Sequence, residues 1–383
     1  MLVDPLASTD PGSGPMGVAP SDVITSAPSV WGAASASSAA AVFPLAAPVA
    51  LALGTLVSDP AQIWHAGDRY GGVAERVRSA RALVTEAVNG RADADRWTER
   101  GRDAFMAARV RPYQETLGQA AEMYDAMDAA LKLTAVAYTS VGLSSAVIGA
   151  ALVRHVASLL AAAVVPALNV QATYVANARM VEAGTAVRAL IAGLAKANGP
   201  AVALLSGVAA RLGVSRAVLA GLGTLGAGGL GGFVGARAVP AAGGAATPLE
   251  WPRRVEGDIE EGAEGDAVPG GFRAPTADQR AGMRSIHPDS IRALGEDLDA
   301  GPGRILDAAY EDARGIEVGF PGFGVAGIHL FHAHGEMRDG AVRQLAAGRD
   351  VPGTWLPGLR TTADNWVFAE RANTGGDGRT PRR

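Results

Sequence analysis

The stretch AQIWHAGDRYGGVAERVRSARALVTEAV, residues 61–88, decides the fold of this chain. Its apolar side chains recur three and four positions apart, at Tyr70, Val73, Val77, Ala80 and Val84. Charged residues occupy many of the remaining positions. This period gathers the apolar side chains on one face of a helix, so the stretch predicts a long amphipathic α-helix.

The residues after this helix predict a turn and a second helix. The run NGRADAD, residues 89–95, combines a helix-stopping glycine with helix-capping acids. A second helix is expected to begin near Trp97 or Gly101. Its apolar residues keep a heptad-like spacing, at Leu117, Ala120, Tyr124, Met127 and Leu131. Because a short connection returns one helix alongside the other, residues 59–134 are predicted to form an antiparallel helical hairpin.

The rest of the chain divides by composition, since 383 residues exceed the usual size of one domain. We expect an all-α protein made of antiparallel helical hairpins or bundles with long helices. The predicted segments are a flexible Pro/Ala/Ser-rich arm (1–58), the hairpin (59–134), an apolar Ala/Gly-rich helical region (135–239), a disordered acidic Gly/Pro linker (240–282), a second helical hairpin domain (283–375) and a disordered tail (376–383).

The apolar middle raises the question of a membrane. Residues 133–153 and 156–178 carry no charge, and each stretch is long enough to span a bilayer. Small residues dominate both stretches, and Arg154-His155 between them is too short a turn to link two spanning helices. Residues 217–236 hold too many glycines for a rigid helix. Membrane contact through 133–178 and 217–236 therefore stays an alternative.

Composition and motifs argue against several classes of function. A net charge of −4 supplies no basic footprint for nucleic acid. The absence of cysteine excludes disulfides, thiolate zinc sites and cysteine nucleophiles. The glycines of GLGTLGAGGLGG, residues 221–232, have a dinucleotide-like spacing but follow no predicted strand. The first residues lack the basic region of a secretory signal peptide. We expect no enzymatic activity and no cofactor.

One cluster of histidines deserves a metal test. His329, His332 and His334, with Glu336 beyond them, are the densest group of potential ligands. On a helix, residues three apart share a face but residues five apart do not, so one ion cannot hold all three without an irregular backbone. A solvated or interfacial histidine patch is the preferred interpretation, and no metal site is predicted.

The run DRWTERGRDAFMAARV, from Asp95 to Val110, places Trp97 at the predicted bend, Gly101 just after it and Phe105 at the entry to the second helix. It resembles the WXG-type hairpins of bacterial type VII (ESX) secretion systems, here with the spacing Trp-x-x-x-Gly. The resemblance implies that Trp97 offers a large apolar surface to the export machinery or to a partner helix.

A second motif of that family is an export signal of the form Tyr-x-x-x-Asp/Glu, which Tyr124 and Asp128 match. Residues four apart on a helix lie side by side, so the phenol and the carboxylate would form one patch. The alternative is that Tyr124 is only a core position and Asp128 only a solvated acid. Both interpretations remain open from the sequence.

The C-terminal region looks like a second type VII secretion-associated hairpin domain. The matching stretches are IHPDSIRALGEDL (286–298), PGFGVAG (321–327) and LRTTADNWVFAERAN (359–373). In the last of these, Trp366 and Glu370 stand where an aromatic-x-x-x-acid signal would lie.

Together these resemblances imply a non-enzymatic type VII secretion substrate or secretion-associated protein of an actinobacterium-like host. It would be secreted or held in the cell envelope. Its expected partners are the secretion machinery and a helical WXG-type protein or a second copy of itself. The alternative is a helical protein of the bacterial envelope that associates with or inserts into the membrane through its apolar middle.

Overall fold

The computed structural model of the protein describes residues 24–92, 99–163, 166–214, 248–252 and 287–374. Every regular element within these ranges is helical, and no strand occurs in them. The prediction of an all-α protein with long helices is therefore confirmed.

Ten α-helices cover most of the described residues. They are α1 (Ala27–Val42), α2 (Ala47–Thr55), α3 (Pro60–Arg91), α4 (Glu99–Phe105), α5 (Arg111–Ala163), α6 (Pro166–Ala197), α7 (Gly199–Arg211), α8 (Pro288–Ala300), α9 (Pro302–Arg314) and α10 (Ile328–Thr374). A 3₁₀ turn, Pro44–Ala46, joins α1 to α2, and a π-helical turn, Met106–Val110, joins α4 to α5. The helix α5 runs for 53 residues and continues through Arg154-His155, so no turn separates the two charge-free stretches at this point.

The chain forms two compact units. Unit 1 comprises residues 1–71, 125–247 and 316–338, and unit 2 comprises residues 72–124, 248–315 and 339–383. Each unit is described by itself below.

The predicted antiparallel arrangement of the first two long helices is confirmed in unit 1. The Nζ of Lys132 on α5 lies 2.8 Å from a carboxylate oxygen of Asp68 on α3. One turn further along α3, Gly71 faces the side chain of Asp128, which lies one turn earlier on α5. Residue numbers thus rise along α3 as they fall along α5, which is what an antiparallel pair requires.

The predicted flexible arm is wrong for residues 24–58, which form α1, the 3₁₀ turn and α2 in unit 1. Residues 1–23 of the arm lie outside the described residues. Pro28, Pro44 and Pro48 all fall in the first turn of their elements, where a missing N–H costs no hydrogen bond. Because α1 is rich in small residues, its backbone approaches α5 closely at Gly32 and Gly149.

The prediction that residues 283–375 form a second helical hairpin domain is wrong, because these residues are divided between the two units. In unit 2 the helices α8 and α9 pack beside the later part of α3. Arg91 forms an ion pair of 2.9 Å with Asp297 on α8, and Arg76 forms one of 2.8 Å with Asp312 on α9. A pair of amphipathic helices leaves an apolar stripe uncovered, so both predicted hairpins contribute to one core. Residues 316–338 belong to unit 1 instead.

The predicted disordered linker, 240–282, is wrong at residues 248–252, which pack on unit 2. The indole Nε1 of Trp251 donates a hydrogen bond of 2.8 Å to Oε1 of Gln344. Its ring centroid lies 5.7 Å from that of Tyr113, and Leu249 beside it is buried. The backbone carbonyls of Leu249 and Glu250 also accept hydrogen bonds, from Gln344 and Thr116. The remainder of the predicted linker lies outside the described residues.

Candidate functional site

The residues of the predicted bend are only partly described. Trp97 lies outside the described residues, so its predicted role stays a prediction. Gly101 lies within α4, and Phe105 is the last residue of that helix. The Phe105 ring meets the buried ring of Trp355 edge to face, with centroids 5.8 Å apart. Phe105 therefore anchors α4 to α10 within unit 2.

Tyr124 lies in the core of unit 2. Its ring is fully buried, and its hydroxyl donates a hydrogen bond of 2.9 Å to the backbone carbonyl of Ala341 on α10. A binding partner therefore cannot reach the phenol in this fold. The aromatic half of the predicted export signal is a packing residue here, whatever the role of the acidic half.

Asp128 belongs to unit 1 and forms an ion pair. A carboxylate oxygen lies 2.8 Å from Nζ of Lys132, whose ammonium also holds Asp68. Burial raises the pKa of the Asp128 carboxyl, and Lys132 offsets this only in part. Burial lowers the pKa of Lys132, but its hydrogen bonds to the two carboxylates outweigh this, so the pKa lies above its usual value. Asp128 is thus not a freely solvated acid.

The second predicted signal lies near the end of α10. Trp366 is half-buried in unit 2, and the side chain of Glu370 lies outside the described part of the chain. Between them, the ring of Phe368 is 76% exposed. The sequence analysis did not identify Phe368, because the residues three and four positions away from it do not show which face of α10 is buried.

The histidine patch divides between surface and core. His329 and His332 are exposed, whereas His334 is buried with Nε2 3.4 Å from the hydroxyl of Tyr70. Within the described ranges, no group of three or more His, Cys, Asp or Glu side chains is arranged to hold a metal ion.

The large exposed apolar side chains are concentrated in unit 1. They lie on α1 and α2 or the turn between them, on the later part of α5, on α6 and α7, and around the start of α10: Val30, Trp31, Val42, Leu45, Leu51, Leu133, Val136, Leu143, Val147, Val153, Leu160, Tyr174, Val175, Val181, Leu204, Phe320, Val325, Ile328 and Phe331. Monomeric soluble proteins rarely leave such a surface uncovered. This unit is therefore the candidate interaction surface.

Two helices of unit 1 form a groove in this surface. The helices α5 and α6 flank an open groove of about 630 Å³, and no charged side chain lines it. Small side chains and glycine line it, including Ser140, Ala186 and Gly193, together with Val147 and Leu190. Small residues let another chain approach the two helix backbones closely.

By length and composition, two helical stretches could cross a membrane. They are Pro44–Arg91, with 48 residues, and Arg102–Ala162, with 61 residues. A third candidate is the pair Tyr174–Ala197 and Gly199–Arg211, which bends by 41°. The predicted glycine-rich contact at 217–236 lies outside the described residues.

Comparison with known proteins adds no relative, because no protein-family model, curated protein or solved structure matches the chain. The resemblance to WXG-type hairpins therefore rests on the quoted residues alone.

Proposed function

We propose that the protein is a non-enzymatic type VII secretion substrate or secretion-associated protein that acts by docking its helices onto other proteins. The observation that carries the docking role is the exposed apolar surface of unit 1, most of whose side chains lie on helices. Such surfaces mark sites of protein or membrane contact. The export role is supported by the Trp97–Gly101 motif, by Asp128 of the second motif and by the antiparallel pairing of α3 with α5.

The second candidate function is membrane association in the bacterial envelope. The two long apolar helical stretches favour it. Residues 133–214 also carry five basic side chains and one acidic one, which suits an anionic lipid surface. An exported helical protein that inserts at its destination would satisfy both candidates.

Fractionation of a host with an intact type VII apparatus tests the export role. Culture filtrate, cell wall, membrane and cytosol are probed for the protein, with and without the secretion ATPase. We expect the protein in the filtrate or wall only when the ATPase is present. Equal amounts in the filtrate of both strains would exclude type VII export.

Alkaline carbonate extraction separates docking from insertion. A protein docked on a membrane surface is released at high pH, whereas a spanning helix stays in the lipid because burial of its apolar side chains does not depend on charge. Release supports the docking role. Retention in the pellet makes the apolar helices of unit 1 membrane segments.

A further inference from the structure

One face of α5 carries a narrow stripe of exposed side chains in unit 1. We name it the α5 seam and define it by Leu133, Val136, Ser140, Leu143 and Val147. Successive members are three and four residues apart, which is the a/d spacing of a coiled coil. All five side chains are exposed, and four of them are large and apolar.

The opposite face of α5 is already occupied. Ser145 and Gly149 contact Gly32 of α1, and Gly142 contacts Ser29. At 100° per residue these positions point away from the seam. The seam is therefore a second apolar face on a helix whose first apolar face is satisfied within unit 1.

The seam is nearly symmetric about Ser140. Leu133 and Val147 lie seven residues on either side of it, while Val136 lies four residues before and Leu143 three residues after. A patch that binds a second copy of itself across a two-fold axis has to be self-complementary in this way. In an antiparallel pair, Leu133 meets the partner's Val147, and Val136 meets the partner's Leu143.

Charge also fits an antiparallel second copy. On the same stripe, Asp125 lies 15 residues before Ser140 and Arg154 lies 14 residues after it. Antiparallel pairing brings Asp125 of each copy to the partner's Arg154, twice by symmetry. Parallel pairing would set like charges against each other, which is unfavourable.

We propose that the α5 seam is a homodimer interface in which two copies of α5 pair antiparallel about Ser140. A lipid bilayer is the less suitable occupant. Arg154 lies on the same stripe, one residue beyond the charge-free run 133–153. Hydrocarbon supplies no counter-charge to its guanidinium, whereas an antiparallel second copy places Asp125 there.

The oligomeric state of the purified full chain tests the interface. Val147 and Val181 form a matched pair, because both are valines on helices of unit 1 with 70% of the side chain exposed, but only Val147 lies in the seam. In sedimentation analysis we expect a wild-type dimer, at least about tenfold weaker association for Val147→Lys, and unchanged association for Val181→Lys. Equal weakening by both variants would overturn the assignment of the seam.

Monomeric wild-type protein up to about 100 µM would also overturn the proposal, whatever else the surface binds. Flotation of such a monomer with phosphatidylglycerol vesicles would identify lipid as the occupant instead. Circular dichroism of each variant checks that helicity is retained, so loss of the dimer cannot be mistaken for unfolding.

Cross-linking tests the orientation, since the chain has no cysteine of its own. With a short bismaleimide, Ser140→Cys should yield linked dimers because each copy places this residue at the two-fold axis. Val147→Cys should not, because its counterpart lies about 21 Å away along the antiparallel partner. Linking of Val147→Cys without Ser140→Cys would show a different pairing.

A charge exchange provides an independent check. Arg154→Asp should weaken the dimer by setting it against the partner's Asp125, and adding Asp125→Arg should restore it. Failure of the double variant to recover would count against the antiparallel pairing. All these measurements use purified protein, so their outcome is separate from that of the export experiment.

Discussion

The hydroxyl of Tyr124 donates a hydrogen bond of 2.9 Å to the backbone carbonyl of Ala341, which ties α5 to α10 inside unit 2. Tyr124→Phe keeps the buried ring but removes this hydrogen bond, which should lower the free energy of unfolding by about 1–3 kcal/mol. Tyr124→Ala also opens a cavity and should cost about 3–5 kcal/mol. Urea unfolding measures both, and equal stability of Tyr124→Ala and the wild type would contradict the burial of the ring.

The same burial changes how the export signal is tested. Loss of export in Tyr124→Ala would report unfolding as readily as loss of a signal. Because the phenol is inaccessible, we expect Tyr124→Phe to be exported at wild-type levels and Asp128→Asn to be exported less. Glu115→Gln is the control, because Glu115 is an exposed acid on α5 that lies outside both the predicted signal and the α5 seam. Normal export of Asp128→Asn would remove Asp128 from the signal.

Gly32→Ala should destabilise the packing of α1 on α5. An added Cβ would lie 2.5 Å from the carbonyl carbon of Ser145, so one backbone has to move. Overpacking of this kind costs about 1–3 kcal/mol. Hydrogen exchange should accelerate across α1. Gly184→Ala on α6 is the control, because open space surrounds its added Cβ and alanine favours the helix.

Lys132 and Lys196 are the two lysines of the chain, and they should differ in reactivity. Lys132 is held between Asp68 and Asp128, which raises its pKa above the ordinary 10.5, whereas Lys196 is exposed. A neutral-pH amine-acylating reagent should therefore modify Lys196 first, as mass spectrometry of peptides would show. Asp68→Asn should accelerate modification of Lys132. Equal rates in the wild type would contradict the ion pairs.

These ion pairs also give a direction to the pH dependence of stability. A cation whose pKa is raised by folding contributes stability that is complete below its unfolded pKa and is lost as the pH rises through the folded pKa. The contribution of Lys132 should therefore persist at neutral pH and disappear only above about pH 10.5. Urea midpoints of Lys132→Met should approach those of the wild type in that alkaline range and not at pH 7.

Trp251→Ala should release residues 248–252 from unit 2. The indole is half-buried, so the cost should stay below the roughly 3–5 kcal/mol of a fully buried tryptophan. Hydrogen exchange should accelerate at these five residues. Trp251→Phe keeps the ring contact with Tyr113 and loses only the bond to Gln344, at about 1 kcal/mol. Unchanged exchange in Trp251→Ala would mean that other contacts hold the segment.

The sequence predicted the elements of the hairpin better than it predicted the core. The three- and four-residue spacing from Tyr70 to Val84 and from Leu117 to Leu131 identified two long helices, and the short connection made them antiparallel. The same spacing could not decide whether Tyr124 is covered, because a heptad position is apolar in a core and at a binding surface alike. The hydrogen bond to Ala341, more than 200 residues away in the sequence, shows that Tyr124 lies in the core.

By itself, the sequence determined the all-α class and the long helices, since the period of apolar residues is a local property of the chain. It did not determine that residues 24–58 pack on α5, that Trp251 anchors a segment predicted to be disordered, or that both predicted hairpins share the core of unit 2. Those outcomes depend on which faces meet, and small residues such as Gly32 reveal their partners only when two backbones come into contact. Tertiary structure alone decided which apolar faces are buried and which, like the α5 seam, remain exposed.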